Sequence, residues 1–159
     1  MTSLIPGMMF LFVFVSMTLV MSHSPVKTDV DRTIAMNMML QHLQAVRLAK
    51  ASGQTSGDIA DPIGGVGFVD LGNWVSSVRT TGGETAVLTM VRNSDKVSND
   101  DLTAALAKIN AKDMKILPTK TGFGPFSEKN GVGYVGSLDV NLFAPWMTVG
   151  QNVFVSIIK

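Results

Sequence analysis

The first 26 residues of the chain contain no Lys, Arg, Asp or Glu, and this uncharged start limits the possible folds more than any other feature. Within it, residues 4–21 form a largely apolar run of 18 residues, near the shortest length that spans a bilayer as a helix. A segment in lipid must pair its backbone groups internally, so a spanning run of this kind is helical. The sequence therefore predicts two parts, an N-terminal transmembrane anchor over residues 1–24 and a soluble domain over residues 25–159.

Three interpretations of the apolar run remain open. A cleaved secretory signal requires a basic segment before the run, and no basic residue precedes Lys27. A type IV prepilin leader would be cleaved after Gly7 and leave Met8 as the first residue, but the fifth mature position, where such pilins usually carry Glu, is Phe12. We favour an uncleaved anchor, whose contacts with membrane lipid come from Leu4, Ile5, Phe10, Phe12, Phe14 and Val20.

The composition of the remainder excludes several functional classes. The net charge is +1, and the basic residues form no stripe with interleaved aromatics, so nucleic acid is not an expected partner. The chain contains no Cys, which excludes disulfides, thiolate nucleophiles and Cys-ligated metals. Roughly 130 residues remain beyond the predicted anchor, which is enough for one modest hydrophobic core.

A long amphipathic helix is predicted over residues 29–51, with a cap at Thr28 or Asp29 and an end at Ser52-Gly53. Its apolar residues recur every three or four positions and form a Met-rich stripe: Met36, Met39, Leu40, Leu43 and Val46. Such a stripe packs on the chain's own sheet or offers an adaptable surface to a partner. Large aromatics have the same two roles. The interface candidates are therefore Met36, Met39, Leu43, Trp74 and Trp146.

The rest of the domain is predicted to be a small, mainly antiparallel sheet with short helices, which makes the fold class α+β. Strands are predicted over residues 84–92, 114–117, 134–142 and 153–158, and a second helix over residues 99–111. Residues 68–78 are expected to form a short helix or turn, and residues 54–67 and 119–133 to form loops. The apolar run 153–158 is typical of a strand covered on both faces, or of an edge strand that a partner extends.

No constellation of residues indicates catalysis. His23 and His42 are the only histidines, and neither is spaced with carboxylates as a zinc site requires. Residues 131–136 match G-x-G-x-x-G, but a polar loop precedes them and strand-like alternation follows, so we expect a β-turn or bulge there instead of a dinucleotide site. The sequence therefore predicts a protein that is not an enzyme and that uses no cofactor, metal or small-molecule substrate.

Four segments follow the apolar start in a characteristic order: AMNMMLQHLQAV at 35–46, LGNW at 71–74, AVLTMV at 86–91, and LFAP with VGQNVFV within 142–155. Over nearly the whole chain they resemble the PilM family of plasmid-type thin pili, which are type IVb pili used in conjugation and adhesion. The resemblance implies a non-enzymatic, membrane-anchored component of the pilin transport apparatus or the pilus basal body. Its implied partners are other pilus assembly proteins or pilins, and it supplies no catalytic residues.

Membrane orientation follows from two opposing arguments. Lys27, Arg32, Arg47 and Lys50 follow the apolar run, and by the positive-inside rule they favour a cytoplasmic domain. The resemblance implies instead a pilin-like module in the periplasm behind a single inner-membrane pass, and we adopt this expectation. Two other functions stay open: a minor pilin that is processed after Gly7 and incorporated in the fibre, and a secreted periplasmic binding module.

Overall fold

The computed structural model describes residues 25–60, 71–92, 97–110 and 112–159, so the predicted anchor lies outside the described residues. The chain divides into two units, residues 1–30 and residues 31–159, and the fold below is that of the second unit. In the described ranges no helix is both long enough and apolar enough to cross a membrane.

The described residues form two α-helices, two 3₁₀ helices and seven strands. In chain order they are α1 (Pro25–Ser52), β1 (Gly57–Ile59), β2 (Trp74–Thr81), β3 (Glu84–Val91), α2 (Asn99–Leu106), a first 3₁₀ helix (Asp113–Ile116), β4 (Thr121–Lys129), β5 (Val132–Val135), β6 (Leu138–Asp139), a second 3₁₀ helix (Asn141–Trp146) and β7 (Asn152–Ile157). The predicted α+β class with an antiparallel sheet is confirmed.

The seven strands found in these residues form one antiparallel sheet in the order β1-β2-β3-β7-β4-β5-β6. β7 is the last strand in the sequence but lies at the centre, where Phe154 is paired with Thr89 of β3 on one side and with Phe123 of β4 on the other. Both edges of β7 are therefore occupied. The prediction of a strand covered on both faces is confirmed, and the edge-strand alternative is wrong.

α1 covers one face of the sheet through small and apolar side chains. Ala45, Val46 and Ala49 pack in a cluster with residues of β1, β2 and β3: Ile59, Val78 and Val87. A second cluster joins the first half of α1 to α2 and to β7: Ala35, Met38, Met39, Leu43, Leu102, Ala105, Leu106 and Phe154. Alanines at these positions let the helix axis approach the strands closely, which favours dense packing.

The opposite face of the sheet is covered by residues 140–149, which contain the second 3₁₀ helix and are called the covering segment below. Side chains alternate along a strand, so Ala86 and Leu88 of β3 share a face with Val153 and Val155 of β7. These four pack with large apolar residues of other elements: Phe126, Val135, Val140 and Phe143. Because β3 and β7 are buried on both faces, their sequences are nearly continuous apolar runs.

Helix boundaries differ from the prediction by a few residues. α1 begins at Pro25, four residues earlier than residue 29, and ends before Gly53, which has a positive φ of 64°. α2 is capped by Ser98, whose hydroxyl accepts a hydrogen bond from the backbone N–H of Asp101 at 3.1 Å. α2 also ends at residue 106 instead of residue 111.

Three predicted segments have a different structure. Residues 74–81 form β2 instead of a short helix or turn, because they pair with β3 along their whole length. Residues 114–117 are not a strand; the side-chain oxygen of Asn110 accepts the backbone N–H groups of Lys112 and Asp113, which starts the turn of the first 3₁₀ helix. The loop predicted over residues 119–133 contains β4 and the first residues of β5.

Glycines divide the β4–β6 region into short strands. Gly131 and Gly136 have positive φ values of 77° and 61° and lie in the turns that precede and follow β5. The β-turn interpretation of the G-x-G-x-x-G match is therefore confirmed, and the strand predicted over residues 134–142 is interrupted at its third residue. Gly122 has another role, since a Cβ there would overlap the carbonyl oxygen of Val135 and lie 2.8 Å from Cβ of Leu138.

Replacement of Gly122 by Ala is expected to lower the free energy of unfolding by about 3 kcal/mol, because β4 would have to move away from β5 and β6. Gly131→Ala is the control: its φ is also unfavourable for Ala, but no atom lies within 4 Å of the added Cβ. We expect about 1 kcal/mol for that change. Urea unfolding followed by circular dichroism measures both values, and equal losses would contradict the close approach at Gly122.

Candidate functional site

Two of the interface candidates on α1 are buried in the protein's own core. Met39 is fully buried and Leu43 is 9% exposed, in the cluster that joins α1 to α2, and Met36 packs partly buried against the same cluster. Met39 and Leu43 therefore pack inside the protein and are not at the surface in this structure, whereas Leu40 of the same predicted stripe is exposed.

Trp74 is also a core residue and not a surface residue. It is buried, and its indole N–H donates a hydrogen bond of 2.6 Å to the side-chain oxygen of Asn37 on α1. The backbone N–H of Leu71 donates to the same oxygen at 3.3 Å. Trp74 therefore ties the start of β2 to α1, and its side chain is not at the surface in this structure.

Trp146 is the interface candidate that remains at the surface. Its side chain is 39% exposed at the end of the second 3₁₀ helix, and its ring lies 6.3 Å from the ring of the buried Phe143. Leu142 and Val149 are exposed on the same covering segment. Three exposed large apolar residues within eight positions make this segment the candidate partner surface of the described residues.

The most unusual group in the structure is the imidazole of His42, which is fully buried between α1 and the sheet. Its Nδ1 lies 2.9 Å from Oγ1 of Thr89 on β3, and its Nε2 lies 2.8 Å from Oγ of Ser156 on β7. The ring also stacks on Phe154, with centroids 5.3 Å apart, and Phe154 stacks on Phe123. Both ring nitrogens of His42 are therefore satisfied by hydroxyls of the sheet.

The hydroxyl groups around His42 form a chain with a defined direction. Thr121 Oγ1 donates its hydrogen to the carbonyl oxygen of Pro118 at 2.8 Å, so it accepts from Ser156 across 2.6 Å. The Ser156 oxygen is then free to accept from Nε2–H of His42. Nδ1 of His42 accepts from Thr89, and Thr89 accepts from Ser76 at 2.8 Å. The network therefore holds the neutral Nε2–H tautomer of His42.

The environment of His42 favours a structural role over acid–base chemistry. Desolvation by burial lowers the pKa of the imidazole from 6.5 to about 3, so the ring is uncharged at neutral pH. A general base has a pKa near the working pH and reaches its substrate, whereas this ring is enclosed and its partners are hydroxyls instead of a carboxylate. What the arrangement does is link α1 to four strands, β2, β3, β4 and β7.

The sequence contains a signal for this network that spacing rules for metal sites do not detect. His42 follows Met39 by three positions and precedes Val46 by four, so it lies on the apolar side of the predicted helix. Thr89 and Ser156 are hydroxyl residues inside apolar strands. Polar residues at core-facing positions on three elements indicate a shared buried network, because buried polar groups are hydrogen-bonded.

Surface cavities lie away from His42. One of about 480 Å³ is lined by the covering segment and by Glu84 and Lys120, which form an exposed ion pair of 4.0 Å. A second, of about 510 Å³, lies beside the start of α2 and includes Arg92 and Val149. In the part of the chain that the structure describes, no group of three His, Asp or Glu side chains is placed to hold a metal ion.

Comparison with known proteins gives no further guide: no protein-family model, curated protein or solved structure matches the chain. The resemblance to the PilM family therefore rests on the sequence segments given above.

Replacement of Ser156 by Ala is expected to cost about 1–3 kcal/mol of unfolding free energy, because it leaves the Nε2–H of His42 buried without an acceptor. Ser127→Ala on the exposed part of β4 is the matched control and is expected to change stability by at most about 0.5 kcal/mol. Urea unfolding at pH 7.5 gives both values. A Ser156→Ala protein as stable as the control would show that the network contributes nothing to docking.

The stability of the protein is expected to fall with acidification through His42. The folded-state pKa of about 3 lies below the unfolded value near 6.5, so the unfolded chain binds the extra proton between these values. The His42 contribution is therefore complete above pH 6.5 and is lost as the pH falls, by about 2 kcal/mol from pH 7.5 to pH 5. The difference between wild type and His42→Gln in urea unfolding at the two pH values isolates it; equal losses in both proteins would refute the assignment.

Proposed function

We propose that the protein is a non-enzymatic, membrane-anchored component of the assembly apparatus of a type IVb, conjugative thin pilus, acting in pilin transport or at the basal body. One observation carries the proposal, namely the order of the parts. An uncharged run of 18 residues is followed by the long helix α1 and an antiparallel sheet. This is the order that the resemblance to the PilM family implies.

The architecture of the soluble domain supports a pilin-like module. α1 has 28 residues, which corresponds to a length of about 42 Å. From residue 31 onward it lies on one face of the sheet, and β7 joins the two halves of the sheet at its centre. A pilin-like module of this kind is proposed to stand in the periplasm, behind a single pass of the inner membrane through residues 4–21.

The chemistry of the described residues supports an assembly role. The buried histidine is used to hold α1 on the sheet, and the exposed apolar residues of the covering segment provide a surface for another protein. Trp146 is the residue proposed to contact other pilus assembly proteins or pilins, since exposed tryptophans are enriched among residues that dominate binding energies.

A minor pilin is the second candidate, because Gly7 is followed directly by apolar residues from Met8 onward, as a prepilin cleavage site requires. Mass spectrometry of the native protein from membranes distinguishes the candidates through its first residue. We expect an intact Met1 and a protein that resists carbonate extraction. A start at Met8 would favour the minor pilin, and a protein that starts near His23 and washes off the membrane would refute the anchor.

Deletion of the gene in its native strain is expected to abolish surface pili, which electron microscopy counts directly. Complementation with wild type should restore them, and complementation with Trp146→Ala should restore markedly fewer at equal protein level. Lys129→Ala, an exposed change on β4, is the control and should restore the wild-type number. Normal piliation in the deletion strain would contradict the proposed function.

A further inference from the structure

The buried contact between α1 and the sheet contains a titratable group, and the hydrogen bonds of this group cross the whole contact. His42 lies near the middle of α1, and its hydroxyl partners continue to four strands through Thr89, Ser76, Ser156 and Thr121. Ala45 and Ala49 follow on the same side of the helix. The protonation state of one ring therefore bears on the docking of the whole helix.

In the described residues, none of the charged side chains on the elements around His42 forms an ion pair with it. From residue 30 onward, these elements carry the following charged side chains: Asp31, Arg32, Arg47 and Lys50 on α1, Arg79 on β2, Glu84 on β3, and Glu128 and Lys129 on β4. β7 carries none. Three of the charged residues form ion pairs elsewhere, as Arg32–Asp113, Arg79–Asp58 and Glu84–Lys120. The hydrogen bonds of the ring go to the two hydroxyls described above.

We propose that the docking of α1 on the sheet is a proton-sensitive contact, in which uptake of one proton by His42 releases the helix while the sheet and its opposite core stay intact. This proton-sensitive contact does not depend on the proposed role in pilus assembly.

The hydrogen-bond chain explains why the docked state rejects the proton. A proton on Nδ1 would face the oxygen of Thr89, which now donates to that nitrogen, so the Thr89 hydroxyl would have to turn away and Ser76 would have to reverse its own hydrogen bond. The resulting imidazolium would also be buried without a counter-ion, which is costly. Release of α1 returns the charged ring to water and removes both penalties.

The sheet has its own support when α1 leaves. β7 remains paired with β3 and β4, and the core on the opposite face contains Phe126, Phe143 and Val155 but no residue of α1. The released helix would expose its buried apolar residues, among them Met38 and Met39. A Met-rich helix face that becomes exposed at acidic pH would be an adaptable binding surface.

The linkage between proton binding and release of α1 sets the size of the pH effect. One proton bound only in the released state raises the released fraction about tenfold for each pH unit below the ordinary histidine pKa of 6.5, and burial of His42 holds the docked-state pKa near 3. From pH 7.5 to pH 5 the expected increase is therefore about 30-fold.

Two single-cysteine variants of the full-length chain, in mild detergent, test the proposal, since the chain has no cysteine of its own. Ala45→Cys places a thiol under α1, and Ala86→Cys places one in the opposite core; both alanines are fully buried. The labelling rate with a dipyridyl disulfide, which reacts in acid, is measured at pH 7.5 and at pH 5. Each rate is divided by the rate for the same protein unfolded in urea, which gives a corrected rate. We expect the corrected Ala45→Cys rate to rise about 30-fold at pH 5. It should then clearly exceed the corrected rate of Ala86→Cys.

The same measurements in a His42→Gln background should show no pH response, because the amide can donate and accept but does not titrate. His42→Met serves the same purpose if the Gln variant does not fold, and without either the two cysteine rates still decide. Equal rates at Ala45→Cys and Ala86→Cys would show that the domain opens as a whole and would overturn the proposal. A flat response of Ala45→Cys in the wild-type background, or a response that persists without His42, would overturn it as well.

Discussion

The hydrogen-bonded bridge through the neutral imidazole of His42 determines how the helical layer sits on the sheet. Packing of alanines and methionines tolerates small shifts of a helix, because apolar contacts are not directional. The chain from Ser76 through Thr89, His42 and Ser156 to Thr121 does not tolerate them, since each hydroxyl has a single hydrogen that must point at its partner. A half-satisfied buried network is costly, so this bridge fixes one position of α1 over β3 and β7.

The strand that carries Ser156 also joins the two halves of the sheet. β1, β2 and β3 form one set of neighbouring strands, β4, β5 and β6 form another, and β7 connects them by pairing with both β3 and β4. Since β7 is the last strand in the sequence, the sheet is completed by contacts between distant parts of the chain. Such topologies fold slowly compared with local ones. The His42 bridge and the closure of the sheet therefore depend on the same strand.

Elements with a clear periodicity of apolar residues could be predicted from the sequence. Elements whose shape depends on two strands passing close together could not. α1, β3 and β7 follow from their spacing of apolar residues, and their boundaries differ from the prediction by at most four residues. β4 was missed because Gly122, Gly124 and Pro125 are typical of loops, yet Gly122 is required where β4 passes β5 and β6. The spacing of His42 argues against a metal ligand but does not reveal its partners Thr89 and Ser156, which the tertiary fold brings to it.

The same packing decides which surfaces remain for partners. Burial of Met39, Leu43 and Trp74 leaves the segment around Trp146 as the densest group of exposed apolar side chains in the described residues. No charged residue occurs from residue 140 to residue 158, so this segment itself offers a partner apolar contacts and no ion pair. Phe143, in the same 3₁₀ helix, is part of the core behind the sheet. A partner bound at Trp146 would therefore also stabilise the core layer that packs against β7. Because α1 is docked on the other face of β7, the same partner would stabilise the strand to which α1 is docked.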